Sequence, residues 1–148
     1  EGAIAANADS RISFIAADAL SENTLEIAKG ARVIVMNFVL QFCDPRSRIS
    51  LLQGLYAALA PDGLLILSEK VQDESDSKHR FFDETHLAWK RANGYSELEV
   101  SQKRQSLEQV MIVDSEEIHN ERFSDAGFAH SQTWFRCMNW ASFLVEPE

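Results

Sequence analysis

Glycine is scarce in this chain and never spaced as G-x-G: six occur among 148 residues. A glycine loop that wraps backbone N–H groups around a phosphate is therefore absent from the sequence in hand. Cysteine is limited to Cys43 and Cys137, far too few for a disulfide scaffold. Both lie in apolar surroundings far apart in sequence, and both are expected to be buried, reduced thiols. No apolar run approaches the roughly 18 residues of a membrane span. The opening EGAIAANADSR lacks the basic flank and apolar stretch of a secretory signal, so a cytoplasmic protein is expected. Basic residues are few, 14 against 23 acidic, for a net charge of −9. Such a surface repels phosphate backbones, and direct nucleic-acid binding is disfavoured.

What is present reads as one α/β domain spanning residues 1–148. Arg11 to Ala16 has the pattern of a short strand, with Asp18 just past its C-terminal end. The run RVIVMNFVL, Arg32 to Leu40, is too apolar for a half-exposed strand. Its first half is expected to be a central parallel strand covered on both faces, ending at Asn37. Asp44 and Pro45 mark a helix start, as N-cap and first-turn proline. Leu52, Leu55, Tyr56 and Leu59 then repeat at helical spacing. A turn at Pro61-Asp62-Gly63 leads into a second buried strand, Leu64 to Leu67, with Ser68-Glu69-Lys70 at its tip. This is a βαβ unit and implies a parallel pair.

Beyond an acidic stretch from Val71 to Lys78, a helical insert is expected over about residues 79–113. Arg80 to Asn93 forms its first helix, with Phe82, Leu87 and Trp89 as apolar contacts and Gly94 as the stop. Ser96 and Glu99 match a capping box for the second. A further cap, Asp114 with Glu117 three residues on, begins a helix that Gly127 closes. The tail from Phe128 to Val145 reads as an antiparallel hairpin at the sheet edge, turning near Arg136 to Met138.

The chemistry-bearing residues are few. Asp18 and Asn37 sit at C-terminal ends of expected parallel strands, where ligands of open α/β sheets bind. Equally, Asp18 could simply cap the residues after it and Asn37 simply end a strand. His79, Asp83 and His86 share a helical face at i, i+4, i+7, a spacing open to a metal, but a solvated face explains them as well and no metal is expected. The segment KRANGYSELEVSQKR, Lys90 to Arg104, concentrates positive charge in an acidic chain. A solvated helical hairpin would account for it. Arg104 is of more interest, because a guanidinium can clamp a carboxylate through two parallel hydrogen bonds. Glu97 and Glu99 lie too far back for i,i+4 pairing with it, so its partner is expected in another element, another subunit or a ligand.

The stretch Leu59-Ala60-Pro61-Asp62-Gly63, before a strand ending in Glu69, resembles the L-x-P-G-G-x-L turn of class I S-adenosylmethionine-dependent methyltransferases. The blocks VIVMNFVLQF, LLILSEK, KRANGYSELEVSQKR and GFAHSQTWFRCMNWASFLV are similar to the carboxy-S-adenosyl-L-methionine synthase family, from about Ile12 to Val145. The resemblance implies a partial Rossmann-like class I methyltransferase fold, with a mostly parallel sheet, a C-terminal antiparallel hairpin and the first βα units missing. In the class I strand order 3-2-1-4-5-7-6, the chain would supply strands 3, 4, 5, 6 and 7. Strands 4, 5, 7 and 6 would stay contiguous, while the Ile12 to Ala16 strand would lose its neighbours and the shortened sheet would have an unprotected edge at Val33 to Asn37.

For function, the resemblance implies S-adenosyl-L-methionine as cofactor and prephenate as small-molecule substrate. Prephenate becomes phenylpyruvate, and its carbon dioxide is captured on the deprotonated cofactor methyl group. The product, carboxy-S-adenosyl-L-methionine, then serves a separate enzyme of tRNA wobble-uridine modification. A homodimer that binds no RNA itself is implied. By motif position, Asp18, Ala19 and Asn37 correspond to cofactor contacts, and Arg104 to the residue that pairs with the new carboxylate. Lys90, Arg91 and Lys103 are then left as surface or interface residues. An ordinary class I methyltransferase acting on a small molecule or RNA, and a non-catalytic interaction module, are the competing readings.

Overall fold

The computed structural model describes residues 9–73, 75–108 and 110–148. Its elements in chain order are α1 (Glu22–Ala28), β1 (Ala31–Asn37), a 3-10 turn (Leu40–Phe42), α2 (Pro45–Ala58) and β2 (Leu59–Gln72). There follow α3 (Asp76–Ala92), α4 (Glu97–Glu108), β3 (Asp114–Ser115), α5 (Glu116–Ala126), β4 (His130–Cys137) and β5 (Trp140–Glu146). The sheet runs β1-β2-β5-β4, with the two-residue β3 also pairing with β2. β1 and β3 lie parallel to β2, whereas β5 is antiparallel to both β2 and β4. This is the contiguous 4-5-7-6 block expected from the class I order, hairpin included.

One face of the sheet holds the core. Leu65, Leu67 and Val71 of β2, with Phe143 and Val145 of β5, meet Leu51, Leu52 and Leu55 of α2 and Phe123 of α5. These side chains are nearly all inaccessible to water. Burial of this kind, about 1.5–3 kcal/mol for each large aliphatic or aromatic side chain, drives the packing. The helix ends are closed as the sequence demands. Asp44 accepts the N–H of Arg46 ahead of Pro45, and Gly127 takes the left-handed conformation with φ 106°. Gly63 answers a different need, since a Cβ there would lie 2.9 Å from the carbonyl oxygens of both Ala31 and Ala60. The register of β1 on β2 slips beside it, from Ala31↔Leu59 to Val33↔Leu64. The expected Pro61–Gly63 turn is thus a bulge inside β2.

Four local expectations are corrected. Residues 12–18 have no regular secondary structure and pair with no strand among the described residues, and Ile12, Phe14 and Ile15 stand half exposed. Without neighbouring strands to pair with, the segment leaves its backbone groups to water. β1 is not covered on both faces: Val33 and Val35 are more than half exposed, and the strand is the sheet edge that the shortened strand order implied. The cap of α5 is Ser115, whose Oγ accepts the Ile118 N–H at 3.3 Å, because Asp114 is drawn into ion pairs with Arg48 and Arg122. Cys137 is exposed and Cys43 half-buried; β4, which carries Cys137, is the edge of the sheet on that side and every one of its residues is exposed. No described helix is long and apolar enough to cross a membrane.

Candidate functional site

The C-terminal ends of β1 and β2 open onto a cavity of about 530 Å³, roofed by α3 and α4. Its floor is built by backbone geometry. After Asn37 the chain turns through Phe38, a non-glycine residue held at φ 56°, whose N–H donates to the Ser68 carbonyl at 2.8 Å. Such a conformation persists only where its surroundings over-determine it, and it is common at ligand sites. The surroundings here are Glu69. Its buried carboxylate accepts the N–H groups of Val39 at 3.0 Å, Leu40 at 2.8 Å and Gln41 at 3.3 Å. Burial pushes the Glu69 carboxyl up to about 7, against the pull of these three N–H donors and of Arg48. Gln41 in turn accepts the Lys70 N–H on its side chain at 3.1 Å.

The roof is tied to the floor through Arg48, whose side chain is 1% exposed. It donates to Cys43 O at 3.2 Å, Gln41 O at 3.3 Å, Ile112 O at 2.9 Å and Asp114 Oδ2 at 2.5 Å. Ile112 lies just beyond α4, and its own N–H donates to Gln41 O at 2.9 Å. The loop after β1 and the segment after α4 are thus held to one guanidinium. α4 itself starts as the sequence predicts, the Ser96 Oγ accepting the Glu99 N–H at 3.3 Å while Glu99 receives the Ser96 N–H at 2.8 Å.

The charge of the cavity is opposite to that of the chain. Lys70 from β2, Lys90 from α3, and Lys103 and Arg104 from α4 line it, with Asp83 the only carboxylate among its lining residues. Phe38, Phe42 and Trp140 supply aromatic walls. Lys70 and Trp140 are direct cross-strand partners, which fixes their proximity. His86 meets Trp140 edge to face, ring centroids 4.5 Å apart at 87°. Burial first, then Lys90 and Lys70, hold the His86 imidazole below its ordinary pKa.

Of the residues singled out in the sequence, Arg104 lines the cavity. It already has an interaction within the protein, so it is not a spare cation. Lys90 and Lys103 join it there instead of lying at the surface, whereas Arg91 does turn outward, to Glu97 at 2.5 Å. Asn37 closes β1 one residue before Phe38 and is exposed. Asp18 and Ala19 are not among the lining residues; Asp18 caps its own turn, accepting the Leu20 N–H at 2.9 Å. His79, Asp83 and His86 do share a face; Asp83 and His86 line the cavity, while His79 lies beside Asp83, its Nε2 3.8 Å from the carboxylate. Among the described residues, no cluster of three His, Cys, Asp or Glu side chains is placed to hold a metal ion. Trp89, expected to pack, is 54% exposed, and Phe82 and Leu87 face inward in its place. Glu69, Lys70 and Trp140 were not singled out as site residues, and His86 was considered only as a possible metal ligand. The strand-tip position of Glu69 and Lys70 was a visible signal; that of Trp140 needed the hairpin register.

With this geometry in hand, the relatives can be weighed. No protein-family model matches the chain. Over 117 residues, 79% of its length, it is 50% identical to the carboxy-S-adenosyl-L-methionine synthase of Aeromonas salmonicida (strain A449) and covers 47% of that protein. Over 134 residues, 90% of its length, it is 46% identical to the carboxy-S-adenosyl-L-methionine synthase of Geobacter metallireducens and covers 53% of it. The chain is a homologue of the carboxy-S-adenosyl-L-methionine synthases. It spans about half the length of these curated relatives.

Among solved structures, LaPhzM matches with TM-score 0.62 at 14% identity, over 94% of this chain and 36% of that one. An O-methyltransferase family protein from Burkholderia thailandensis matches with TM-score 0.61 at 13% identity, over 92% and 36%. PigF with SAH matches with TM-score 0.57 at 17% identity, over 89% and 38%. At such identities the likeness speaks to fold alone. The homologue has the partial Rossmann-like fold of the S-adenosylmethionine-dependent methyltransferases, as its strand order suggested.

Proposed function

We propose that this chain carries the co-substrate side of a carboxy-S-adenosyl-L-methionine synthase, a transferase that uses S-adenosyl-L-methionine and prephenate. The observation that carries the reading is the charge of the cavity: four cations to one carboxylate, in a chain of net charge −9. S-adenosyl-L-methionine has one carboxylate, an ammonium and a sulfonium, so it does not by itself call for four cations. A dicarboxylate such as prephenate does, because each desolvated carboxylate needs its own cation or donors. The aromatic walls suit its six-membered ring, and the cavity volume lies within the range of small-molecule sites, roughly 300–1,000 Å³. The cofactor is held at the edge of this cavity, through Arg104 and Lys103 for a carboxylate and Asn37 at the adjoining strand end, and reaches out of it toward Asp18 and Ala19 in the segment before α1, which do not line the cavity.

When bound, the cofactor supplies the methyl carbon that receives the carboxyl group lost by prephenate, with phenylpyruvate and water as the other products. The chain's part is electrostatic. Arg104 favours the carboxylated product over a plain methyl sulfonium, since a fixed cation stabilises charge where it develops. The aromatic walls and the helical roof exclude water from the transfer. The product is consumed by a separate tRNA-modifying enzyme in the cytoplasm, and this protein works as a homodimer without binding RNA.

The test is incubation with S-adenosyl-L-methionine and prephenate, followed by mass spectrometry for the carboxylated sulfonium and phenylpyruvate. Arg104→Ala is expected to lose retention of the carboxylated product by about ten-fold or more, as for a charged hydrogen bond. Normal product retention by that variant would remove the role given to Arg104. Methyl transfer that proceeds without prephenate would replace the whole reading with an ordinary methyltransferase.

A further inference from the structure

We propose that Lys70 and His86 form a carboxylate subsite for the co-substrate, in which Lys70 leaves Asp83 for the incoming anion and His86 takes up a proton as it arrives. The proposal rests on the functional reading above and adds to it the residues that seat the second ligand.

Lys70 is fixed at its root and loosely held at its tip. Its N–H is bound by Gln41 and its strand pairing faces Trp140. Its ammonium, however, sits 3.3 Å from Asp83 Oδ1, longer than the roughly 2.7–2.9 Å of a good charge-assisted hydrogen bond. Asp83 does not depend on it. The same oxygen accepts from Asn139 Nδ2 at 2.9 Å, and His79 Nε2 lies 3.8 Å from the other. Asn139 is itself buried and anchored, its carbonyl accepting the Val71 N–H at 2.8 Å. Lys70 can therefore turn into the cavity, where a fifth of its side chain is already exposed, without leaving a buried carboxylate bare.

His86 is the cavity group that senses this exchange. The charged groups around it are Asp83 and Lys90 on its own helix, Lys70 on β2, and Lys103 and Arg104 on α4. From β5 it meets the uncharged Trp140. Burial first, then the positive neighbours Lys90 and Lys70, disfavours the protonated imidazole before a ligand enters. A carboxylate seated on Lys70 cancels that field and adds an acceptor, so the protonated form gains. Binding of the anion and of a proton are then linked, and each strengthens the other.

Calorimetric titration of the full chain with prephenate, in two near-neutral buffers of different ionisation enthalpy, tests both halves. Wild-type protein is expected to bind with a buffer-dependent heat that reports proton uptake. Lys70→Ala should weaken binding by about ten-fold or more, and Lys70→Arg should recover most of it, because the loss is that of a charged partner. Lys70→Met controls for packing and should fail as alanine does. His86→Gln should weaken binding by a few-fold, less than Lys70→Ala, and lose the buffer dependence. Unchanged affinity in Lys70→Ala, or buffer dependence that survives His86→Gln, would overturn the subsite while leaving the synthase reading standing. Wild-type protein that does not bind prephenate at all would overturn both.

Discussion

Removing the charge of Glu69 should rewrite the pH dependence of stability in a direction that can be worked out beforehand. The folded carboxyl keeps its proton up to about 7, against an ordinary value of 4.5. Between those values the folded state binds more protons than the unfolded chain, so this group makes stability fall as pH rises. The gap corresponds to about 3 kcal/mol, fully expressed above pH 7. His119 works the other way. Burial first, then Arg122, holds it at about 4 instead of 6.5, so the unfolded chain binds the extra proton and stability rises over that window.

The two windows overlap between 4.5 and 6.5, and the effects are of similar size. Wild-type stability should therefore be nearly flat there and decline only as pH approaches 7. Glu69→Gln removes one side of the balance. Its amide oxygen can still serve Val39 and Leu40, while the Gln41 N–H, the longest of the three bonds at 3.3 Å, loses its acceptor. That loss costs about 1–3 kcal/mol at any pH. Urea unfolding of both proteins from pH 4.5 to 7.5 should show the variant gaining on the wild type by about 3 kcal/mol across the range. A constant difference would mean that the three N–H donors keep Glu69 ionised throughout, and that burial does not dominate.

Two further outcomes follow from the same geometry. Arg48→Ala leaves Asp114 half-compensated by Arg122 at 2.8 Å and frees the carbonyls of Gln41, Cys43 and Ile112; a loss of about 3–5 kcal/mol is expected, the range for breaking a buried pair. Urea unfolding reads it, and a change below 1 kcal/mol would show the clamp to be dispensable. A thiol reagent on the native protein should modify exposed Cys137 well before Cys43, whose thiol is raised by burial. Equal rates, followed by mass mapping, would contradict the half-buried placement of Cys43.

Local elements were readable from the chain because local chemistry determines them. Asp44-Pro45 starts a helix wherever it lies, Ser96 and Glu99 satisfy each other's N–H groups, and Gly127 is suited to a left-handed stop. Where a residue had a stronger distant partner, the local reading failed. Asp114 is a good cap by type, yet Arg48, 66 positions away, takes its carboxylate and Ser115 caps instead. The exposed face of β1 was not readable either, since an apolar run shows affinity for cover and not the cover itself.

For the candidate site the division is similar. Residue types determined that one basic segment would stand out in an acidic chain and that Arg104 could clamp a carboxylate. The sequence alone also placed Asn37 and Lys70 near strand ends, whereas the strand it put before Asp18 does not form. Only the tertiary structure decided which of them share a cavity. The antiparallel register sets Trp140 opposite Lys70, and the roof brings Lys90, Lys103 and Arg104 over them. The helical spacing of His79, Asp83 and His86 was legible as one face, but its role depended on what that face meets. It meets Lys70 from β2, Asn139 from the β4–β5 turn and Trp140 from β5, and becomes one wall of a cation-lined cavity. Charge and capping are properties of residues and their near neighbours; a site is a property of segments far apart in sequence, and only the packing of the sheet brings them together.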